Sequence, residues 1–188
     1  RLTDQIQPLR LVGYVLMAKF LNRQNVELAR KVGEVHYDLG NDFYTGMLDS
    51  RLTYTCGYWE HAENLEQAQE AKLDMVCRKL QLRPGMRLLD IGCGWGSLLG
   101  FAAERYGVEG VGVSISKEQI AYAQERYAHL PVEFRLQDYR DLNERFDAIA
   151  SLGMFEHVGR KNYRIYMEVA NRLLDKGGLF LLHTIGKN

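Results

Sequence analysis

The segment Leu88-Leu89-Asp90-Ile91-Gly92-Cys93-Gly94-Trp95-Gly96-Ser97-Leu98 constrains this chain more than any other part of it. A short apolar run leads into three glycines at alternate positions, and a helical pattern follows. Glycine there permits positive φ and lets a ligand approach the backbone without interference from a Cβ. The same alternation repeats downstream. Strands are expected at Leu88–Ile91, Val111–Val113, Val132–Leu136, Phe146–Leu152 and Leu179–Thr184, the last after a turn at Gly177-Gly178. Helices are expected between them at Ser97–Tyr106, Lys117–His129 and Asn162–Leu174. Upstream, Leu65, Leu73, Val76, Cys77 and Leu80 mark an amphipathic helix capped by Asn64 and broken at Pro84-Gly85. Strands alternating with helices imply a mostly parallel, doubly wound α/β sheet. Such sheets bind ligands at the carboxyl ends of their strands, where the glycine loop lies.

A dinucleotide fits this loop poorly. In G-x-G-x-x-G the third glycine would fall at Ser97, and the acid expected about 20 residues on is replaced by Gly112-Val113-Ser114. Asp90 followed by G-x-G-x-G resembles instead motif I of S-adenosylmethionine-dependent methyltransferases of the Rossmann-like class. Under that reading Asp90 supports the loop and Gly92, Cys93, Gly94, Trp95 and Gly96 cradle the cofactor. The next two strand ends then offer Ser114 or Gln119 to ribose hydroxyls, Asp138 to the adenine amino group, and Tyr139 to the ring face. A glycine turn with no ligand is the bland alternative.

Composition narrows the class further. Twenty-four Lys+Arg balance 24 Asp+Glu over 188 residues, which disfavours nucleic acid as a partner because no surplus of cations neutralises phosphates. Cys56, Cys77 and Cys93 form no C-x-x-C pair, so neither a disulfide framework nor a thiolate metal site is expected. The apolar run Leu11–Ala18 falls short of the ~20 residues of a membrane span. No initial Met and no secretory signal open the chain, so a cytoplasmic protein lacking some upstream sequence is expected. Residues 1–35 carry six basic and three acidic side chains and read as an N-terminal helical linker. Leu9, Val12, Leu16 and Phe20 give it one apolar face, suited either to packing on its own domain or to an anionic membrane surface. Tyr37, Phe43, Tyr44, Tyr54, Tyr58 and Trp59 then crowd one aperiodic stretch. So many rings are expected to be buried against the core or a ligand.

Seven blocks in order resemble one family, the cyclopropane-fatty-acyl-phospholipid synthases and the related mycolic acid cyclopropane synthases. They are HYDLGNDFY (36–44), LTYTCGYW (52–59), LDIGCGWG (89–96), GVSISKEQ (112–119), LQDYRDL (136–142), GMFEHVG (153–159) and LLHTIG (181–186). The resemblance implies a catalytic domain over residues 36–188, Rossmann-like and truncated after its fifth strand, since methyltransferases of this class usually have seven. It implies transfer of a methylene group from S-adenosylmethionine to the cis double bond of an unsaturated phospholipid acyl chain. An alkene is a weak nucleophile, so the step depends on alignment. The cation left on the acyl chain can be stabilised by aromatic faces, and a base must then remove a proton so that the ring closes. In the family that base is thought to be bicarbonate. The positions matching its ligands are Cys56, Glu156, His183 and, through its main chain, Ile185. Tyr54-Thr55 match contacts to the methionine part of the cofactor, and His36-Tyr37 match a segment that closes over it.

The residues themselves leave alternatives open. Cys56 also reads as an ordinary buried cysteine, and His183, inside an apolar strand, as a hydrogen-bonded core residue. A methyltransferase of the same fold acting on a small molecule is the second function, and a cofactor-binding fragment without turnover is the third. A phospholipid substrate further implies peripheral attachment to the inner face of the membrane, and a homodimer is left open.

Overall fold

The computed structural model describes residues 41–186. The helix expected at 9–20, the linker of residues 1–35 and His36-Tyr37 lie outside the described residues. Helix α1 (Asn41–Met47) leads into an irregular segment, and α2 (Leu65–Lys79) follows, its first turn capped by Asn64 Oδ1 accepting from Gln67 N at 3.0 Å. Five strands form the sheet: β1 (Arg87–Ile91), β2 (Glu109–Ser114), β3 (Val132–Leu136), β4 (Phe146–Leu152) and β5 (Leu174–His183). Between them lie α3 (Ser97–Tyr106), α4 (Lys117–Arg126), the single turn α5 (Phe155–Val158) and α6 (Tyr163–Leu173).

The strand order is β3-β2-β1-β4-β5 and every pair is parallel. This is the doubly wound, Rossmann-like sheet that the strand and helix pattern predicts. Successive residues of β1 and β4 feed opposite layers, which is why both strands read as unbroken apolar runs. Leu88, Ala148 and Ala150 pack with Leu73, Leu99, Phe101, Ile120 and Phe134 on one side. Leu89 and Ile149 pack with Tyr139, Phe146, Tyr166 and Leu173 on the other. The sheet is thus sandwiched, and β1 sits at its centre.

Two boundaries differ from the expected ones for identifiable reasons. Helix α4 stops at Arg126 rather than His129, because Tyr127 leaves helical geometry to bury its ring beside Phe134, with centroids 5.9 Å apart. Strand β5 begins at Leu174, so Gly177-Gly178 lie within it rather than before it. Pairing moves from Phe146↔Leu174 to Ala148↔Leu179, five residues of β5 against two of β4. The glycines form the extra length of a bulge, and a Cβ on Gly178 would lie 2.5 Å from the Asp147 carbonyl oxygen. Regular pairing then continues to Leu152↔His183.

Candidate active site

The order of strands reverses its direction at β1, and the loop leaving β1 opens at that switch point. Gly92, Gly94 and Gly96 have φ of 82°, 54° and 84°. The amides of Gly92 and Cys93 both donate to the Val113 carbonyl, at 2.9 and 3.1 Å, tying the loop to the end of β2. Above it lies a cavity of about 900 Å³, walled by the ends of β1, β2, β4 and β5 and by the segment before α2.

That segment is held by buried polar groups. Asp49, 5% exposed, accepts from Thr53 N at 2.7 Å and from Thr53 Oγ1 at 3.1 Å, which supports Leu52 in a left-handed turn at φ 56°. From α2, Gln69 Nε2 donates to the carbonyls of Thr53 (3.2 Å) and Thr55 (2.7 Å), and Lys72 Nζ donates to Thr55 Oγ1 (2.7 Å). Residues 53–56 are therefore laid along the helix with Tyr54, Thr55 and Cys56 on the cavity wall. Tyr44, Leu52 and Trp95 form a small core beneath, with the Tyr44 and Trp95 rings 4.8 Å apart.

Several titratable side chains line the cavity. Asp90, 3% exposed at the end of β1, is pushed up to about 7 by burial, against the pull of Lys72. Lys72 is equally buried, and loss of water lowers it to about 8 despite the attraction of Asp49, Cys56 and Asp90. Glu156, on α5, feels burial in the opposite direction, yet the Ile185 N–H, donating to Oε1 at 2.6 Å, helps to hold its carboxyl below the ordinary range. Its other oxygen, Oε2, is buried with no partner. His183 Nε2 lies 3.5 Å from Cys56 Sγ, while Nδ1 is buried and unpartnered. Burial, aided by Lys72, lowers the His183 imidazole, so its neutral form is favoured.

The structure brings fifteen of the sixteen expected site residues to the lining of this one cavity; the sixteenth, Gly96, is the N-cap of α3 at the end of the loop. Cys56, Glu156, His183 and Ile185 converge from three segments: the stretch before α2, helix α5, and the end of β5. Three details differ from the expected roles. The main-chain N–H of Ile185 is already engaged by Glu156. Asp138 is gripped by Arg140, with Nε donating to Oδ1 at 2.8 Å and a terminal nitrogen to Oδ2 at 2.5 Å. Ser114 Oγ donates to Gln119 Oε1 at 3.4 Å, so the two ribose candidates are joined to each other.

The crowded aromatic segment is the clearest correction. Among its described rings only Tyr44 is buried; Phe43, Tyr54, Tyr58 and Trp59 are exposed, and Tyr54 and Trp59 line the cavity mouth. Their apolar surface faces an open site, not a closed core. Sequence reasoning missed Asp49, Gln69, Lys72 and Arg140. For two of these a signal exists: Gln69 and Lys72 continue the Leu73-Val76-Cys77 face of α2 at helical spacing and should have been read as buried polar groups.

The family model described as mycolic acid cyclopropane synthetase matches residues 24–188. The chain belongs to this family. It is 57% identical over 178 residues to the cyclopropane-fatty-acyl-phospholipid synthase of Escherichia coli (strain K12), covering 95% of this chain and 46% of that protein. The chain thus spans about half the length of that relative. Among solved structures, the cyclopropane synthase MmaA2 from Mycobacterium tuberculosis superposes with a TM-score of 0.80 at 39% identity, covering 82% of this chain and 56% of that one. Mycolic acid cyclopropane synthase CmaA1, complexed with SAH and CTAB, gives 0.75 at 39% identity over 78% of this chain and 53% of that one.

Proposed function

We propose that this chain carries the cofactor site and catalytic centre of an enzyme that transfers a methylene group from S-adenosylmethionine to the cis double bond of an unsaturated phospholipid acyl chain, forming a cyclopropane. One observation carries the reading: the Cys56, Glu156, His183 group opens into the same cavity as the glycine loop, so one molecule can span both. Family membership and the SAH in the related structure support it.

When bound, S-adenosylmethionine supplies an electrophilic methyl group. The loop of Gly92–Gly96 seats the nucleoside by close backbone approach, with Ser114 and Gln119 at the ribose and Asp138 and Tyr139 at the adenine. Arg140 keeps Asp138 aimed, since a forked guanidinium fixes a carboxylate's orientation. Tyr54 and Trp59 present ring faces at the mouth, where positive charge on the acyl chain can be stabilised. The group of Cys56, Glu156 and His183 suits a bound bicarbonate, which would supply the base. Glu156 Oε2 is a free acceptor for its hydroxyl and His183 a free ring nitrogen for an oxygen, while Cys56 closes the third side. Ile185 serves by holding Glu156. A phospholipid substrate places the enzyme at a membrane surface. Among the described residues no helix is long and apolar enough to cross a membrane, and the exposed rings of Phe43, Tyr54, Tyr58 and Trp59 suit surface contact.

The test is incubation with vesicles of cis-unsaturated phospholipid and methyl-labelled S-adenosylmethionine, followed by mass spectrometry of the lipid. Acyl chains should gain one labelled carbon and lose the double bond. Bound cofactor with labelled methyl on any other acceptor class, and none on lipid, would refute the lipid reading.

A further inference from the structure

The turn that follows α5 holds a cluster of charge beside the cavity. His157, Val158 and Asn162 line the cavity wall, and the chain there reads His157-Val158-Gly159-Arg160-Lys161-Asn162-Tyr163-Arg164, with three permanent cations and no carboxylate. The backbone is fixed. Gly159, at φ 77°, reverses the chain, Asn162 N donates to the Gly159 carbonyl at 2.9 Å, and the buried Asn162 Nδ2 donates to the Val158 carbonyl at 2.8 Å. The Phe155 and Tyr163 rings stack across the turn with centroids 4.2 Å apart. Arg160, Lys161 and Arg164 are nevertheless exposed, and among the described residues none of them forms an ion pair. Elsewhere Arg51, Arg78, Arg87, Arg105, Arg135 and Arg140 each have a carboxylate within 4.0 Å. Even Glu168, one helical turn beyond Arg164, is not paired with it. Like charges held at such spacing repel one another unless an anion comes to them.

We infer that Arg160, Lys161 and Arg164 form a docking surface for the anionic headgroups of a phospholipid bilayer, holding the cavity mouth against the membrane. The inference rests on the lipid reading above and adds to it which face meets the bilayer and which lipid charge that face selects. Exposed apolar groups accompany the cations. Ile165, 45% exposed, follows Arg164 directly, and Tyr54 and Trp59, both 54% exposed, line the same cavity from the segment before α2. Rings that settle at headgroup level and cations that meet phosphate are the two halves of interfacial attachment. Because the whole chain has a formal charge of zero, the attraction is local, and it turns this face rather than another towards an anionic surface. An acidic protein would satisfy the cations but offer nothing to the rings and Ile165, so a bilayer is the better fit.

Co-sedimentation with two kinds of vesicle tests this: cis-unsaturated phosphatidylcholine alone, and the same lipid mixed with phosphatidylglycerol. Wild-type protein should bind the anionic vesicles more tightly. The preference should fade as salt rises from about 0.1 M to 1 M, which shortens the screening length from about 10 Å to about 3 Å. The triple variant Arg160→Gln, Lys161→Gln, Arg164→Gln should bind anionic vesicles on the order of a hundredfold more weakly, at about fivefold for each cation near such a surface. Its binding to neutral vesicles and to S-adenosylhomocysteine should match wild type. The charge-keeping set Arg160→Lys, Lys161→Arg, Arg164→Lys should bind anionic vesicles as wild type does. A Gln triple variant with wild-type affinity for anionic vesicles, or wild-type protein indifferent to lipid charge, would overturn the inference and leave the cluster to solvent or to an acidic protein. Equal losses on neutral and anionic vesicles would overturn it too, since the cations would then act by shaping the turn. Wild-type protein that makes no cyclopropane from labelled S-adenosylmethionine on either vesicle would instead overturn the lipid reading itself.

Discussion

Alanine at Gly94 and at Gly96 should have opposite consequences, although both glycines belong to one loop. Gly96 has φ 84°, and a Cβ there would lie 2.7 Å from two ring atoms of Phe134 and 3.1 Å from Ala123 Cβ. Phe134 is 3% exposed and belongs to the larger core, so its ring has nowhere to go. The left-handed backbone costs about 1–2 kcal/mol and the overpacked core about 1–3 kcal/mol. Gly96→Ala should therefore lose roughly 2–5 kcal/mol of unfolding free energy, on the order of 10 °C in Tm for a chain of this size. Gly94 has φ 54°, yet a Cβ there meets no atom within 4 Å, and the position lines the cavity. Gly94→Ala should lose only the backbone part, about 1 kcal/mol, while its methyl enters the space reserved for ligand and weakens S-adenosylhomocysteine at least tenfold. Urea unfolding followed by fluorescence gives the first quantity and calorimetric titration the second. If the two variants lose equal stability, or if Gly94→Ala binds as well as wild type, the division of this loop into a packing glycine and a ligand glycine is wrong.

Three further expectations follow from the site. Glu156→Gln should keep the bond to Ile185 and leave cofactor affinity unchanged, yet put a donor where the bicarbonate hydroxyl needs an acceptor and so reduce turnover on lipid by up to roughly 10²–10⁴, the range for losing a general base; comparing binding with single-turnover rate checks it. Asp49→Ala strips a buried acceptor from Thr53 and should cost about 2–3 kcal/mol in urea unfolding. Asp90 has a folded pKa raised from 3.8 to about 7, so the folded state binds its proton more tightly. Stability should decline as pH climbs from about 4 to 7, and Asp90→Asn should remove that slope in thermal melts across the window.

The sheet was legible because its strands are buried on both faces and its helices carry one apolar stripe, so periodicity and burial agree. The expected spans of α3, β3 and β4 coincide with the observed ones. Boundaries slipped where a side chain acts at long range: Tyr127 leaves α4 to reach Phe134, and nothing local to residues 126–129 announces it. The glycine loop was legible for a different reason, since its three positive φ angles demand a residue that the sequence shows directly. Partner choice was not legible. That Ile185 N–H would turn to Glu156 depends on how α5 and the end of β5 meet across space, and that Arg140 would fold back on Asp138, only two residues away, depends on the tight turn that follows β3. Asp49 looks like a surface charge in a linear chain, and only its hydrogen bonds to Thr53 reveal why it is buried.

The bulge in β5 has a consequence for how this chain tolerates changes in length. Beyond Leu179 the strand is in strict register with β4 as far as Leu152↔His183, and a one-residue slip in a strand exchanges its two faces. Deleting one residue between Leu179 and His183 would turn the imidazole away from Cys56 and towards the helical layer, silencing the site in a sheet that still folds. Between Leu174 and Leu179 the added length is already unpaired, so a residue gained or lost there is taken up locally. Insertions and deletions should therefore be found on one side of Leu179 and be absent from the other: a boundary between drift in length and fixed parity, drawn by a single interruption of the ladder.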